Sequence, residues 1–465
     1  MANSDRNVAR YLDDLVKEQG PDGVDERLAP KFHPLSRRLP RNLKLLDNLI
    51  ERRWGVLEGL EPHRTTLLDP QTQADQERYA HNIENFIGTV KVPVGLAGPL
   101  RINGLFAQDD YLIPLATTEA ALVASYHRGA QLITRAGGCS TLLLDEGVSR
   151  TPAFAFDNLR DVSEFVAWVV TQQEYFSEVA QSTTRHGKLV EMRFSVEGNH
   201  VYLNFKYHTG DAAGQNMVTL ATEAIFATIV AESPVLPRHA YLEANMSGDK
   251  KASAQSFQTV RGKKVTAEVV LSDELVRKGL HTTPKEMVKY GRVAISGSML
   301  SGAMGVQGHY ANALAALYIA CGQDAACVSE SAVGISRMEV TDDGDLYTSV
   351  TLPNLIVGTV GGGTGLPSQR ACLDILGLAG NGKAKAFAEV CAAIALAGEI
   401  SLIAAICSGH FARAHRSLAR GRGGNGAINL RDQRPDDLSD DLESDTPATD
   451  APATEAPATE AEVGA

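Results

Sequence analysis

The sequence lacks a CxxC pair, a basic stripe and the glycine signatures of the common nucleotide folds, and each lack removes a class of function. Its six cysteines (Cys139, Cys321, Cys327, Cys372, Cys391 and Cys407) are scattered, mostly among Ala, Leu and Ile. That setting predicts reduced core thiols rather than disulfides or a metal cluster, so no metal is expected. No GxGxxG follows a first strand and no GxxxxGK[ST] loop occurs, so neither a dinucleotide fingerprint of that kind nor a P-loop is present. No stretch approaches the roughly 18–20 uncharged apolar residues of a membrane span. The opening residues, MANSDRNVARYLDDLVKEQG, carry no apolar core of a secretory signal. These features predict a cytoplasmic protein without a membrane partner.

Positive charge is also scarce. The formal net charge is −12 over 465 residues, but the chain from Arg431 onward holds eleven acids against two bases. The remainder is therefore close to neutral, and without a basic face nucleic acid is an improbable partner. The same terminal segment repeats PAT(D/E)A. It has too little apolar surface to offset ordering entropy, which predicts a disordered acidic tail over 431–465.

What is present is a protein 44% hydrophobic but only 6% aromatic, long enough for more than one domain. A flexible N-terminus over 1–30 and a charged helical N-terminal domain over 31–83 are expected. The segment ATTEAALVASYHRGAQLITRAGG (116–138) reads as a buried helix, with Thr117 as N-cap and Gly137–Gly138 as stop. It carries Glu119, and an unpaired buried carboxylate is costly. Strand-like runs (LVEMRFSV, VYLNFKY) and a helical stretch then alternate over 150–240, an α+β module set between two helix-rich halves.

Two glycine-bearing turns precede helices: HTGDAAGQNM (208–217) and VGTVGGGTGLPSQ (357–369). Backbone N–H groups at a helix start bind phosphate well, although each turn alone is more often just a turn. Four titratable residues sit among small neighbours that would bury them: Glu119, Lys250, Asp324 and His415. Singly, each has an ordinary structural reading as an ion-pair partner, a solvated turn, a helix acceptor or a helix histidine. Together they supply an acid, a base and an oxyanion-stabilising cation, the set that carbonyl chemistry needs.

The ordered motifs ENFIGTVKVPVGLAGPL, ATTEAALVAS, SGDKKAS, IACGQDAA, GTVGGGT and AGEISL, with a final histidine, run across about residues 84–420. In this they resemble the eukaryote-like class (class I) of 3-hydroxy-3-methylglutaryl-coenzyme A (HMG-CoA) reductase. The resemblance implies reduction of an acyl-CoA thioester to a primary alcohol, HMG-CoA to mevalonate and CoA, using two NADPH. It implies an α+β fold: a large helix-rich domain with a central buried helix (84–143 and 254–420), interrupted by a small ferredoxin-like NADP-binding domain (144–241). An active-site loop (242–253) would connect them. Self-association as a dimer or tetramer is implied too, with active sites between subunits.

By motif position, Lys250 looks like the catalytic lysine, with Glu119 and Asp324 coupled to it. His415 would protonate the departing thiolate. Asp211, Ala213, Gly214, Gln215 and Asn216 match the dinucleotide turn, where Ala213 and Gln215 replace the usual methionines. Gly361, Gly362 and Gly363 form the second turn. Arg185 would hold the 2′-phosphate, with Arg420 assisting, and Arg128 would contact CoA. Asp249, Lys251, Arg292 and Asn312 would bind the acyl end. There, however, Leu142 stands for an expected arginine and Glu243 for an expected serine, a change that ordinarily weakens carboxylate binding. Two alternatives follow: a paralogous NADPH-dependent reductase of another 3-hydroxyacyl-CoA, and a non-catalytic homologue that binds CoA or nucleotide.

Overall fold

The computed structural model describes residues 5–32, 34, 38–39, 49–57, 59–80 and 82–409. The acidic tail, His415 and Arg420 lie outside the described residues. The chain divides into two compact units, Met1–Lys91 and Val92–Ala465.

The first unit is helical: α1 (Asp5–Gln19), α2 (Pro21–Leu28), α3 (Leu49–Gly55), α4 (Arg64–Leu67), α5 (Pro70–Ala74) and α6 (Gln76–Ala80). Its core is small. Trp54 and Arg53 of α3 donate to the carbonyls of Ile87 and Phe86 at 2.9 and 3.0 Å. Asp69 caps α5 through the amides of Gln71 and Thr72, the usual way of satisfying the open donors of a helix start.

The second unit is built on an 11-stranded sheet whose main path runs β7-β4-β6-β3-β8-β11-β10-β9, with β5 beside β6 and the β1–β2 hairpin beside β3. Strands β1 (Val94–Gly104), β2 (Gln108–Ala116), β3 (Cys139–Arg150), β8 (Gly262–Leu271), β9 (Gly305–Val306), β10 (Gly334–Val340) and β11 (Leu346–Leu355) belong to the larger part. The module adds β4 (Ala153–Ala155), β5 (Lys188–Glu197), β6 (His200–His208) and β7 (His239–Tyr241), with α8 (Leu159–Val169), α9 (Gln173–Thr183) and α10 (Gln215–Glu232). Along β6 every second residue (Val201, Leu203, Phe205, Tyr207) is buried, as a strand with one covered face requires. Strand β3 serves both parts. It pairs with β8 as far as Gly147 and with β6 from Val148.

The remaining helices are α7 (Leu122–Arg135), α11 (Asp273–Leu280), α12 (Pro284–Ser301), α13 (Tyr310–Ala320), α14 (Val328–Ser331), α15 (Pro367–Ile375) and α16 (Ala384–Cys407). The sequence expectation of one buried helix over 116–138 needs correction. α7 starts only at Leu122, after β2 has run to Ala116, and Ala121 before it takes a left-handed φ of 70°. α7 also buries one face only, through Leu122, Tyr126, Gly129, Ala130, Leu132 and Ile133. His127, Gln131 and Arg135 forbid burial all round.

The helix buried on nearly every side is α16, where Ala, Gly and Ser alternate with Ile and Leu. It is long and apolar enough to cross a membrane by composition, yet 78% of its most apolar window is buried inside the fold. Two carboxylates on it are also buried, and both are matched by donors. Glu389 accepts from the amides of Leu105, Phe106 and Ala107 at the β1–β2 turn, at 3.2, 2.9 and 2.7 Å. Glu399 accepts from Gly308 and His309, both at 2.8 Å, and from the Ser336 hydroxyl at 2.6 Å.

Candidate active site

The segment 242–253 links β7 of the module to β8 through a tightly wound loop. Three of its residues take positive φ: Asn245 at 64°, Gly248 at 77° and Lys250 at 55°. A left-handed lysine costs about 1–2 kcal/mol, so the surroundings must hold it there. Two groups do so. The Lys250 amide donates to Glu330 Oε1 at 3.1 Å, and its ammonium pairs with Asp324 Oδ2 at 2.8 Å. The Asp324 hydrogen bond holds the lysine pKa above its ordinary value. Burial alone would raise the Asp324 carboxyl, but the Lys250 ammonium and the Ala326 amide outweigh it and the pKa falls.

Neither side chain of this pair is deeply buried; they are 46% and 43% exposed. Glu119 is exposed as well, and its amide donates to Thr117 Oγ1 at 3.0 Å. The small neighbours that suggested burial therefore do something else: they let backbones approach. A Cβ on Gly322, two residues before Asp324, would meet the Gly363 carbonyl at 2.3 Å.

Beneath Lys250 lies a charge cluster that sequence reading missed. Arg150, at the end of β3, donates to Asp249 Oδ2 at 2.9 Å. Arg261, just before β8, donates to Asp249 Oδ1 at 2.9 Å and pairs with Glu330. Gln215 Oε1 accepts from both arginines, at 3.2 and 2.9 Å. Burial pushes the Asp249 carboxyl up, but Arg261 and Arg150 overcome it and its pKa is lowered. Glu330 shows no exposure, and burial prevails over Arg261 to raise its pKa. The rule that flagged Asp324 could have found Glu330, since CVSESAV is an equally small context. Arg150 and Arg261 carried no comparable signal.

Asp249 therefore faces arginines within the chain, while Lys251 is exposed and its ammonium donates to the Asp249 carbonyl at 2.8 Å. Glu243 folds back on its own loop. It accepts from the Asn245 amide at 2.9 Å and the Ser247 hydroxyl at 3.1 Å, and lies 3.7 Å from Arg150. Leu142 is exposed on β3. Arg292 lies exposed on α12, and Asn312 contacts His309 at 3.3 Å on the first turn of α13. Arg128 turns inward from α7, donating to the Ser401 carbonyl at 2.8 Å and hydroxyl at 2.9 Å. Burial lowers its pKa.

The two glycine turns come together. Ala212 and Val360 form a parallel bridge, and the Thr359 amide donates to the Asp211 carbonyl at 2.8 Å. Gly358 must be glycine, because a Cβ there would meet the Ala213 amide at 2.4 Å. Gly214 precedes α10 with φ 77°, placing Gln215 and Asn216 in its first turn. Gly361 and Gly362 are exposed, with Gly363 half-buried beside them. The Asp211 carboxylate serves the start of α16 instead, accepting from Gly382 at 2.7 Å and Ala384 at 3.1 Å.

Gln323 links the paired turns to the lysine site, because its side chain accepts from the Gly358 amide at 2.8 Å and Asp324 is its neighbour in sequence. Arg185 is exposed in the loop after α9, whose Thr184 contacts Met217 of α10 at 3.0 Å. Glycine turns that open onto a helix start suit the binding of phosphate.

Comparison with known proteins identifies the family. The profile of hydroxymethylglutaryl-coenzyme A reductase matches residues 49–420. A 3-hydroxy-3-methylglutaryl-coenzyme A reductase of Pyrococcus horikoshii is 47% identical over 400 residues, covering 84% of this chain and 95% of the relative. That of Aeropyrum pernix is 45% identical over 429 residues, 90% of this chain and 99% of its own. Among solved structures, the class II enzyme of Streptococcus pneumoniae bound to NADPH has a TM-score of 0.58 at 20% identity, covering 78% of this chain and 97% of that one. It supports the fold. The chain belongs to the hydroxymethylglutaryl-coenzyme A reductase family.

Proposed function

We propose that the protein reduces HMG-CoA to mevalonate and free CoA with two NADPH and two protons, supplying isoprenoid precursors. The observation that carries this reading is the Lys250–Asp324 pair at 2.8 Å, set beside paired glycine turns open to solvent. Residues 211–216 and Gly361 to Gly363 would hold NADPH, which would supply the hydride for each of the two reductions.

The ammonium of Lys250 donates a hydrogen bond to the carbonyl oxygen as negative charge develops there, a task suited to a cation held before the reaction begins. Asp324 fixes the direction of that donor and keeps it protonated. Glu119 is the further carboxyl of the set, and His415 the proton source for the thiolate, a role fitting a group that titrates near neutrality. Arg185 would hold the 2′-phosphate. Asp249, Lys251, Arg292 and Asn312 serve the acyl end, and Arg128 the CoA side. Glu243 was the strongest sequence argument for another acyl group. Its carboxylate is occupied by its own loop and by Arg150, so it does not present a bare negative charge to substrate.

We further assign self-association to the face of α12, where Val293, Met299 and Leu300 are exposed, Leu300 at 89%. An uncovered apolar helix face beside Arg292 suits a second copy of the chain. The free cysteines fit a reducing, cytoplasmic setting.

The test is NADPH oxidation dependent on HMG-CoA, with NADH and other 3-hydroxyacyl-CoA esters as comparisons. Activity with HMG-CoA that Lys250→Met abolishes, while NADPH still binds, is expected. Equal activity of wild type and Lys250→Met would overturn the assignment. Lys251→Met should mainly raise KM.

A further inference from the structure

The short segment 324–330 grips one residue of the active-site loop at two points. Asp324, at its start, pairs with the ammonium of Lys250 at 2.8 Å. Glu330, on α14 at its end, accepts the amide of the same residue at 3.1 Å. The second contact is unlike an exposed turn hydrogen bond. Glu330 shows no solvent exposure, and its other oxygen is bound by Arg261, which is 3% exposed. Arg261 in turn reaches Asp249, the preceding residue of the loop, and Gln215, at the start of α10, both at 2.9 Å.

Lys250 needs such a hold. Its φ of 55° is one that a residue with a side chain leaves readily unless its surroundings over-determine it. Rotating the peptide back toward ordinary φ would break the bond to Glu330 and redirect the ammonium away from Asp324.

We propose that Glu330 is a positioning residue for the reduction: its buried carboxylate fixes the left-handed backbone of Lys250, and Arg261 and Gln215 tie that hold to the dinucleotide turn. This rests on the role given to Lys250 above. Glu330 touches no reacting atom and acts through Lys250. The link also gives Gln215 a use that differs from cofactor contact, since its side-chain oxygen lies between Arg150 and Arg261.

Glu330→Gln and Glu330→Ala are compared with wild type and Lys250→Met. In folded Glu330→Gln, the amide oxygen can serve the Lys250 N–H or Arg261 but not both fully. Its kcat should fall about tenfold, as small misplacements of catalytic groups do, with KM and NADPH affinity within about threefold of wild type. Glu330→Ala should fall further. Hydrogen exchange over residues 245–252 should lose protection in Glu330→Ala, a readout that needs no turnover.

A kcat within about twofold of wild type in Glu330→Gln would overturn the proposal. So would a parallel loss of kcat, KM and NADPH binding, which marks general loosening. If Glu330→Ala does not fold, Glu330→Gln decides alone. Should wild type fail to turn over HMG-CoA, the functional reading fails, while the exchange result still reports on the hold itself.

Discussion

Lys250 and Asp324 shift each other's titration in opposite directions, and this sets a pH window. The lysine pKa is raised, so its charged state and the pair's stabilisation persist below the ordinary lysine value and are lost as pH rises through the raised one. The Asp324 pKa is lowered, so its share is present above the ordinary carboxyl value and is lost as pH falls through the lowered one. Both groups are nearly half exposed, so solvent screening leaves the pair a small contribution to folding. Its consequence is for turnover. In Asp324→Asn the alkaline limb of kcat should move to lower pH, because the lysine loses the partner that keeps it protonated. A pH–rate profile across neutral to alkaline pH checks the direction, and an unmoved limb would disconnect Lys250 from the rate.

At the level of elements, α7 and α16 meet through two glycines where no side chain fits. A Cβ on Gly129 would lie 1.9 Å from the Ala397 carbonyl, and one on Gly398 would lie 2.1 Å from the Tyr126 ring. Gly129→Ala should therefore cost about 1–3 kcal/mol, read as a lower denaturation midpoint with unchanged slope. Glu389→Leu should cost about 1–3 kcal/mol or more, because three amides of the β1–β2 turn lose their acceptor together.

These elements also show what could be read from the sequence. The strand VYLNFKY and the glycine turns were legible because alternation and positive-φ demands are local. The start of α7 was not: ATTE looks like a cap, but β2 continues through Ala116 and Glu119 falls in the turn between. Which helix forms the buried centre was legible only in composition, since both candidates are rich in small residues and only α16 lacks a polar face. The arginine cluster was illegible because Arg150, Arg261 and Glu330 are far apart in sequence and meet only when β3, β8 and α14 are in place.

On the scale of the whole molecule, the family match spans both units, reaching from residue 49, upstream of the motifs first recognised, to residue 420. Glu119 makes no side-chain hydrogen bond or ion pair among the described residues, and the self-association proposed above makes it testable whether one copy's Glu119 serves the other's Lys250. If sites are shared between subunits, mixing inactive Glu119→Gln with inactive Lys250→Met should restore about a quarter of the wild-type sites in a randomly re-formed dimer. Activity staying at zero after verified subunit exchange would place Glu119 and Lys250 of each site within one chain.

Strand β3 carries one more implication. It pairs with β8 as far as Gly147 and with β6 only from Val148, so one continuous strand joins the module to the larger part, yet none of its residues is paired to both. A tilt of the module at that point is opposed not by the ladder but by the Ala212–Val360 bridge and the Thr359–Asp211 hydrogen bond between the glycine turns. Separation of the two turns would therefore release the module as well, coupling opening of the turns to its tilt.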